Sequence, residues 1–273
     1  MRYSVHMNYK KFYTELIKAP FSLETREAIG ELLAKNKRSD FPEIWQRIQK
    51  NREKYSKIVN QIRRDGCIPI DFDINKEQLI NSLKSIPHDK PIDSSNQETV
   101  HLKGVDKLPG VISILKNPDL YNVVSLYLGA PAHIHSCQAW WQYPMADSHK
   151  ASNAQQWHRD RDDFREIKLF YYVTDVDDKS GPHGYIKRSH RSELLKETFS
   201  EDKFDNDIVQ GMQHQFLDDK KIKELGLLSS PTVWTGKAGT CFLEDTTGFH
   251  KAYVPIENPR LILSIIWTIG HGW

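Results

Sequence analysis

The chain of 273 residues is short of cysteine, of net charge and of long apolar runs. It has only three cysteines, Cys67, Cys137 and Cys241, far apart and odd in number, with no CxxC or His/Cys zinc spacing. That excludes a disulfide framework and a closed zinc module, and reads as free thiols in a reducing compartment. Lys and Arg number 38 against 36 Asp and Glu, a formal charge of +2. Such balance excludes a broad nucleic-acid footprint. Basic pairs such as Arg63–Arg64 and Lys187–Arg188 read as solvated surface. No apolar run approaches the ~20 residues that span a bilayer, and the first twenty residues lack the apolar stretch of a signal peptide. The expectation is a soluble, cytoplasmic protein without nucleic-acid or membrane partners.

What is there divides into two textures. The first half reads as helical. "SLETREAIGELLAKNK" starts at Ser22, a good N-cap, and places Ile29, Leu32 and Leu33 on one stripe. A second helix is expected over 40–65, capped by Asp40, with Pro42 in its first turn and Gly66 as its stop. Shorter helices are expected in "NKEQLINSLKSI" and "NPDLYNVVSLYLG", separated by a loop-like "PHDKPIDSSNQETV". From about residue 132 the segments "HIHSCQAWWQY", "EIKLFYYVTDV", "HGYIKR", "TVWTG", "GTCFLED", "HKAYVPI" and "RLILSIIWTI" are short, aromatic and β-branched. Strands without long helices between them predict an antiparallel sandwich or barrel. The reading is a single α+β domain over 1–273: a mainly helical support at 1–130 and a β-core at 131–273, interrupted by a polar insertion at about 192–228.

Within "AQQWHRDRDDF" stand His158 and Asp160. On extended backbone, residues i and i+2 point the same way, so an imidazole and a carboxylate can reach one ion. Alone, the pair also fits a charged turn with a His–Asp hydrogen bond. His250, at the head of a later strand, supplies a third donor, and two His with one carboxylate form a facial set that leaves metal positions open. Ten residues on, Arg260 enters the apolar strand "LILSIIW". A charge there is costly without a partner, and a guanidinium fork suits a carboxylate. Trp157, Arg159 and Arg161 flank the pair as candidate substrate contacts. Trp157, like Trp140 and Trp141, also fits core or wall, and the two arginines face either the pocket mouth or solvent. His133, His135, His183 and His190 have ligand chemistry but no position in the triad; His214 and His271 carry no signal.

Taken in order, the HxD at 158–160, "FYYVTDVDDKSGPHGYIKRSH" at 170–190, His250 and Arg260 resemble the phytanoyl-CoA dioxygenase family of Fe(II)/2-oxoglutarate oxygenases, as does "LKNPDLYNVVSLYLGAP" at 115–131. The resemblance covers about residues 110–270. It implies a double-stranded β-helix (a jelly-roll, cupin-like barrel) with iron at its mouth, held by His158, Asp160 and His250. It implies Arg260 on the distal carboxylate of 2-oxoglutarate, O2 as co-reactant, and hydroxylation with release of succinate and CO2. Asp160 favours hydroxylation over halogenation, since halogenating relatives lack that carboxylate. Two departures stand out. Arg188 replaces the glycine that usually precedes the Ser-His pair, here Ser189 and His190. Ala252 replaces a hydroxyl residue that in some members helps hold 2-oxoglutarate, which leaves Thr174 and Gln138 as substitute donors. Two other functions use the same residues: a catalytically silent jelly-roll binding protein, and a cupin-type iron dioxygenase that does not use 2-oxoglutarate and gives Arg260 no job.

Overall fold

The computed structural model describes residues 11–89, 99–144, 153–198, 216–227 and 231–270. After a helical segment over 11–18 come α1 (Leu23–Asp40), α2 (Pro42–Gln49), α3 (Arg52–Asp65), β1 (Cys67–Pro69), α4 (Lys76–Lys84) and β2 (Thr99–His101). Then follow α5 (Pro109–Leu115), α6 (Pro118–Leu128), β3 (His133–Gln142), β4 (Glu166–Tyr172) and β5 (His183–Tyr185). The chain continues through α7 (Ser192–Thr198), α8 (Asp219–Glu224), β6 (Thr232–Trp234), β7 (Cys241–Glu244), β8 (His250–Ala252) and β9 (Arg260–Thr268). This is a mixture of helices with two antiparallel sheets. One has six strands in the order β1-β7-β4-β9-β3-β2, the other three in the order β6-β5-β8.

The helices form where their ends are signalled. Ser22 Oγ accepts from Thr25 N, Asn75 Oδ1 from Gln78 N and Asn117 Oδ1 from Leu120 N, each satisfying an otherwise orphan donor of a first turn. Gly66 and Gly129 end α3 and α6 in the left-handed conformation. Two expectations are corrected. The expected 40–65 helix is two helices, broken at Lys50–Asn51; Asp40 ends α1 instead of capping α2, whose N-cap Phe41 offers no side-chain acceptor. The face that α1 buries is Leu23, Arg26, Gly30, Ala34 and Lys37, while Leu32 is 59% exposed. The reason is polar. Arg26 donates to Ile17 O and Asp163 O, and Lys37 to Ile269 O and Gly270 O, so α1 docks by satisfying loop carbonyls that an apolar stripe could not. Strand β1 is not anticipated from the sequence, and β2 begins within the stretch read as loop-like; both are three-residue edge strands with no period to detect.

Side chains alternate across the large sheet. On one face Ala139, Ile167, Leu169, Tyr171, Leu243, Leu261, Leu263, Ile265 and Trp267 join Val59, Ile62, Leu79, Val123 and Val124 of the helices in one apolar core. The other face turns toward the small sheet: Phe170, Tyr172 and Phe242 pack with Trp234, and the ring of His183 lies 4.5 Å from that of Phe170. The chemistry sits between the sheets.

Candidate metal centre

His158 and His250 are cross-strand partners. Each backbone N–H donates to the other's carbonyl at 3.0 Å, although 92 residues separate them. Asp160 N donates to Thr246 O at 2.8 Å and continues the seam. That pairing brings the two rings to 4.2 Å between centroids. The carboxylate closes the set: Asp160 Oδ1 is 3.5 Å from His158 Nε2, and Oδ2 is 3.2 Å from His250 Nε2. One donor atom from each of the three lies within 4.8 Å of the others.

Both imidazoles are aimed from behind. His158 Nδ1 lies 2.9 Å from Gln156 O, and His250 Nδ1 lies 3.0 Å from Gly248 O. With Nδ1 donating to a carbonyl in each ring, each Nε2 is directed at Asp160, and it is this nitrogen that can give up its proton and offer a lone pair to a metal. Lys168 fixes the carboxylate, with Nζ 2.5 Å from Asp160 Oδ2 and 2.9 Å from Asp162 Oδ2. Burial pulls His158 down to about 3, with the neighbouring His250 adding to the shift, so this ring is neutral. Burial also works against charge on His250, but the charge and hydrogen bond of Asp160 outweigh it and raise that ring. Burial opposes an Asp160 anion, yet Lys168 and His250 hold the carboxyl well below its ordinary value. Two imidazole nitrogens and one ionised oxygen therefore converge on one point and fit a divalent transition metal.

The triad opens into a cavity of about 380 Å³, whose wall includes Trp140, Phe170, Ile262 and Ile266. Arg260 lines the same cavity although it is only 1% exposed. Its Nη1 donates to Gly181 O and its Nη2 to Gln142 Oε1, but Nε has no partner. No described carboxylate pairs with it, and burial lowers its pKa. A buried guanidinium with an unmet donor, held by two neutral oxygens, is a site prepared for an anion. Gly181 is required here. Its φ is +68°, and a Cβ would stand 2.5 Å from Tyr253 O.

The other candidates are placed as follows. Gln138 and Ala252 line the cavity. Thr174 does not; its Oγ1 accepts from Leu261 N at 3.1 Å. Trp157 is wholly buried in a separate cluster with Phe249 and Leu217, its Nε1 donating to Asp219 at 2.6 Å. Residue 157 points away from the cavity because it alternates with His158. Arg159 shares that outward parity and faces neither mouth nor solvent: it is 9% exposed, with Nη2 donating to Ser189 O at 3.0 Å and Nε to Thr247 O. Arg161 is half-buried and is not among the cavity's lining residues. His190 is buried, with Nε2 3.1 Å from Arg63 O, His135 reaches the cavity rim, and His133 is exposed. His214, His271 and the middle of the insertion lie outside the described residues.

Two groups at or behind the cavity, Lys168 and Glu244, were not singled out from the sequence, and a third, His183, was named there without a role. Lys168 is the ammonium on Asp160, and its signal was available: a charge inside the apolar "EIKLFYY", the argument already applied to Arg260. His183 stacks on His250 at 5.6 Å, and its Nε2 lies 2.7 Å from Glu244 Oε2. Glu244 is wholly buried, which raises its carboxyl to about 8, and it also accepts from Trp234 Nε1 at 2.5 Å. No local pattern marks that pair, since its members meet across two sheets.

No protein-family model matches the chain, and no curated protein matches it by sequence. Solved structures do. SnoN, a non-heme alpha-ketoglutarate-dependent epimerase from nogalamycin biosynthesis, superposes with a TM-score of 0.53 at 13% identity, covering 79% of this chain and 83% of its own. SnoN in complex with Fe3+, alpha-ketoglutarate and nogalamycin RO gives 0.52 at 12% identity, covering 79% and 84%. EctD from S. alaskensis with bound Fe gives 0.51 at 16% identity, covering 78% and 75%. At these identities the likeness is one of fold. Among the described residues no helix is long and apolar enough to cross a membrane.

Proposed function

We propose that the chain is a non-heme Fe(II)/2-oxoglutarate-dependent oxygenase of the phytanoyl-CoA dioxygenase kind, built on a double-stranded β-helix, that hydroxylates a small-molecule substrate and releases succinate and CO2. The observation that carries the reading is Arg260. A fully buried guanidinium with an unmet Nε donor shares a cavity with two imidazoles and a carboxylate that converge on one point. A metal site alone has no use for it; a dicarboxylate that reaches from metal to guanidinium does. The fold of SnoN, solved with Fe3+ and alpha-ketoglutarate, and of EctD, solved with Fe, supports the same assignment.

In this reading His158, Asp160 and His250 hold the iron, which when bound couples O2 reduction to oxidative decarboxylation of 2-oxoglutarate. Arg260 takes the distal carboxylate in place of the weak neutral acceptors Gly181 O and Gln142 Oε1. Lys168 keeps Asp160 ionised and oriented. Phe170, Ile262 and Ile266 give the cavity an apolar wall that limits water near the reacting groups. Gln138 is the better placed second anchor for the cosubstrate, because it lines the cavity and Thr174 does not.

The test is succinate release by the Fe(II)-loaded protein across a panel of small-molecule substrates, together with anaerobic titration of 2-oxoglutarate followed by its charge-transfer absorption. Substrate-dependent succinate and a saturable band are expected. Absence of both the band and turnover favours the binding-protein reading, and turnover without 2-oxoglutarate favours the cupin-type reading.

A further inference from the structure

A second concave site lies on the helical part of the molecule and shares no lining residue with the metal cavity. Its volume is about 550 Å³, larger than the cavity over the triad and well within the size range of small-molecule pockets. Five guanidinium groups line it, from Arg38 on α1, Arg52 and Arg63 on α3, Arg165 before β4 and Arg191 before α7. One carboxylate among the described lining residues, Glu31, stands against them.

Part of this cluster has a structural use. Arg63 Nη2 donates to Leu126 O at 3.0 Å, Arg165 Nη1 to Leu128 O at 2.9 Å and Arg38 Nη1 to Gly129 O at 2.6 Å. These carbonyls end α6, where cations are favoured. The bonds fix the guanidiniums in place but neutralise none of their charge, because a carbonyl is no counter-ion. Glu31 serves two of them, with Oε1 3.1 Å from Arg38 and Oε2 2.7 Å from Arg165. Arg191 has Asp245 and Glu27 nearby on its other side. Arg52 and Arg63 have no carboxylate partner among the described residues. Burial, and then the repulsion of Arg191, Arg52 and Arg165, hold the Arg63 guanidinium below its usual value. Like charges gathered in one hollow, oriented by backbone bonds and left short of counter-charge, are stabilised by an anion of more than one charge.

We propose that this arginine-lined hollow binds a soluble, multiply charged phosphate compound of the diphosphate class. Planar forks from several directions match the oxygens of two linked phosphates, which a lone carboxylate or monovalent anion would not span. The ring of Trp45, with the Arg38 guanidinium 5.9 Å from its centroid, lines the same hollow and offers a face to the rest of such a molecule.

The test is isothermal titration of the purified full-length protein with inorganic pyrophosphate, in wild type and three variants. Saturable one-to-one binding is expected in wild type. Arg52→Gln/Arg63→Gln should weaken it by about tenfold or more, the loss of one charge-assisted contact at the least. Glu31→Gln should tighten it severalfold, a direction that a purely structural role for these arginines does not give. Arg260→Ala should leave it unchanged, which separates this site from the metal cavity. Should the double variant fail to fold, Arg52→Glu alone decides, since Arg52 is exposed and holds no helix end. Absence of saturation, equal affinity in the arginine variants, loss of binding in Arg260→Ala, or binding seen only with phosphatidic acid vesicles and not with pyrophosphate would each overturn the proposal.

Discussion

The two faces of β9 carry opposite chemistry on one stretch of backbone. Leu261, Leu263, Ile265 and Trp267 point to the helices and belong to a continuous apolar core. Arg260, Ile262, Ser264 and Ile266 point to the cavity. Their neighbours there are Gln142 on β3 and Lys168 on β4, with Glu244 beside Lys168 on β7. The helix face carries no charged group, only isolated polar atoms such as the buried Tyr171 hydroxyl, and is packed chiefly for stability. The cavity face is equally buried, yet holds an ammonium between two carboxylates, a His–Glu pair and a guanidinium with an unmet donor. Burying such groups costs several kcal/mol each unless they are paired. The helix face and the N-terminal helices are what let the fold tolerate them. Strand alternation thus separates the residues that form the apolar core from those that line the cavity.

The sharpest way to break this comparison is to remove one donor of the triad. His158→Ala, Asp160→Ala and His250→Ala should each reduce succinate formation to the background without enzyme, while the melting temperature changes little. Lys168 keeps Asp162 as a partner when Asp160 is lost. Chelating the metal should likewise leave the far-ultraviolet circular dichroism intact, because the apolar core lies on the other side of the sheet. Unfolding on metal removal would mean that the ion is structural, as in a zinc finger.

The converse change is Leu263→Ala. Leu263 is fully buried among the helices, so truncation should cost about 2–5 kcal/mol, read as a lower denaturant midpoint. The iron and 2-oxoglutarate affinities of the folded fraction should stay at wild-type values. A selective loss of cosubstrate binding would show that the two faces are not independent.

Arg260→Lys tests the cavity face more finely. Lys supplies a point charge but not a planar fork. Losing one or two charge-assisted bonds, at about 1.5–3 kcal/mol each, should weaken 2-oxoglutarate binding by roughly ten- to a hundredfold or more, with iron affinity nearly unchanged. The measurement is the cosubstrate titration of the charge-transfer band in both proteins. Equal affinities would remove Arg260 from the site and reopen the cupin alternative.

How much of this was legible in the sequence follows from the range of each signal. Helix ends were readable at Ser22 and Gly66, because caps act within a turn. All seven expected β segments contain a strand, because alternation and β-branching are local. The triad and Arg260 could be named because their order and spacing form a long pattern, even though a fold is needed to bring residue 158 against residue 250. What escaped depends on tertiary context. The buried face of α1 uses Arg26 and Lys37, whose carbonyl partners come from distant loops. Trp157 and Arg159 lie beside His158 in sequence, and adjacency suggested shared function where alternation dictates opposite faces. Glu244 becomes a partner of His183 only once two sheets are stacked.

The smallest expected effect comes from a position that belongs to neither face. Arg188 is the one non-glycine described residue with positive φ, at 67°. It occupies the place where the resembling family usually has glycine. A left-handed conformation costs an L-residue about 1–2 kcal/mol, and glycine avoids that cost at a loss of roughly 0.5–1 kcal/mol in unfolded-state entropy. The compensation at Arg188 is an ion pair with Glu197, whose side chain is 58% exposed and therefore screened; pairs of that kind contribute about 0–1 kcal/mol. Arg188→Gly should therefore stabilise the protein by a few tenths to about 1 kcal/mol, seen as a slightly higher urea midpoint at unchanged slope. The turn it sits in is already tied down, with Ser189 Oγ donating to Ile186 O and accepting from Phe249 N, the residue before His250. Iron and 2-oxoglutarate affinities should accordingly stay as they were. A lower midpoint would show that the pair with Glu197 outweighs the backbone strain, and that this turn draws its stability from its side chain.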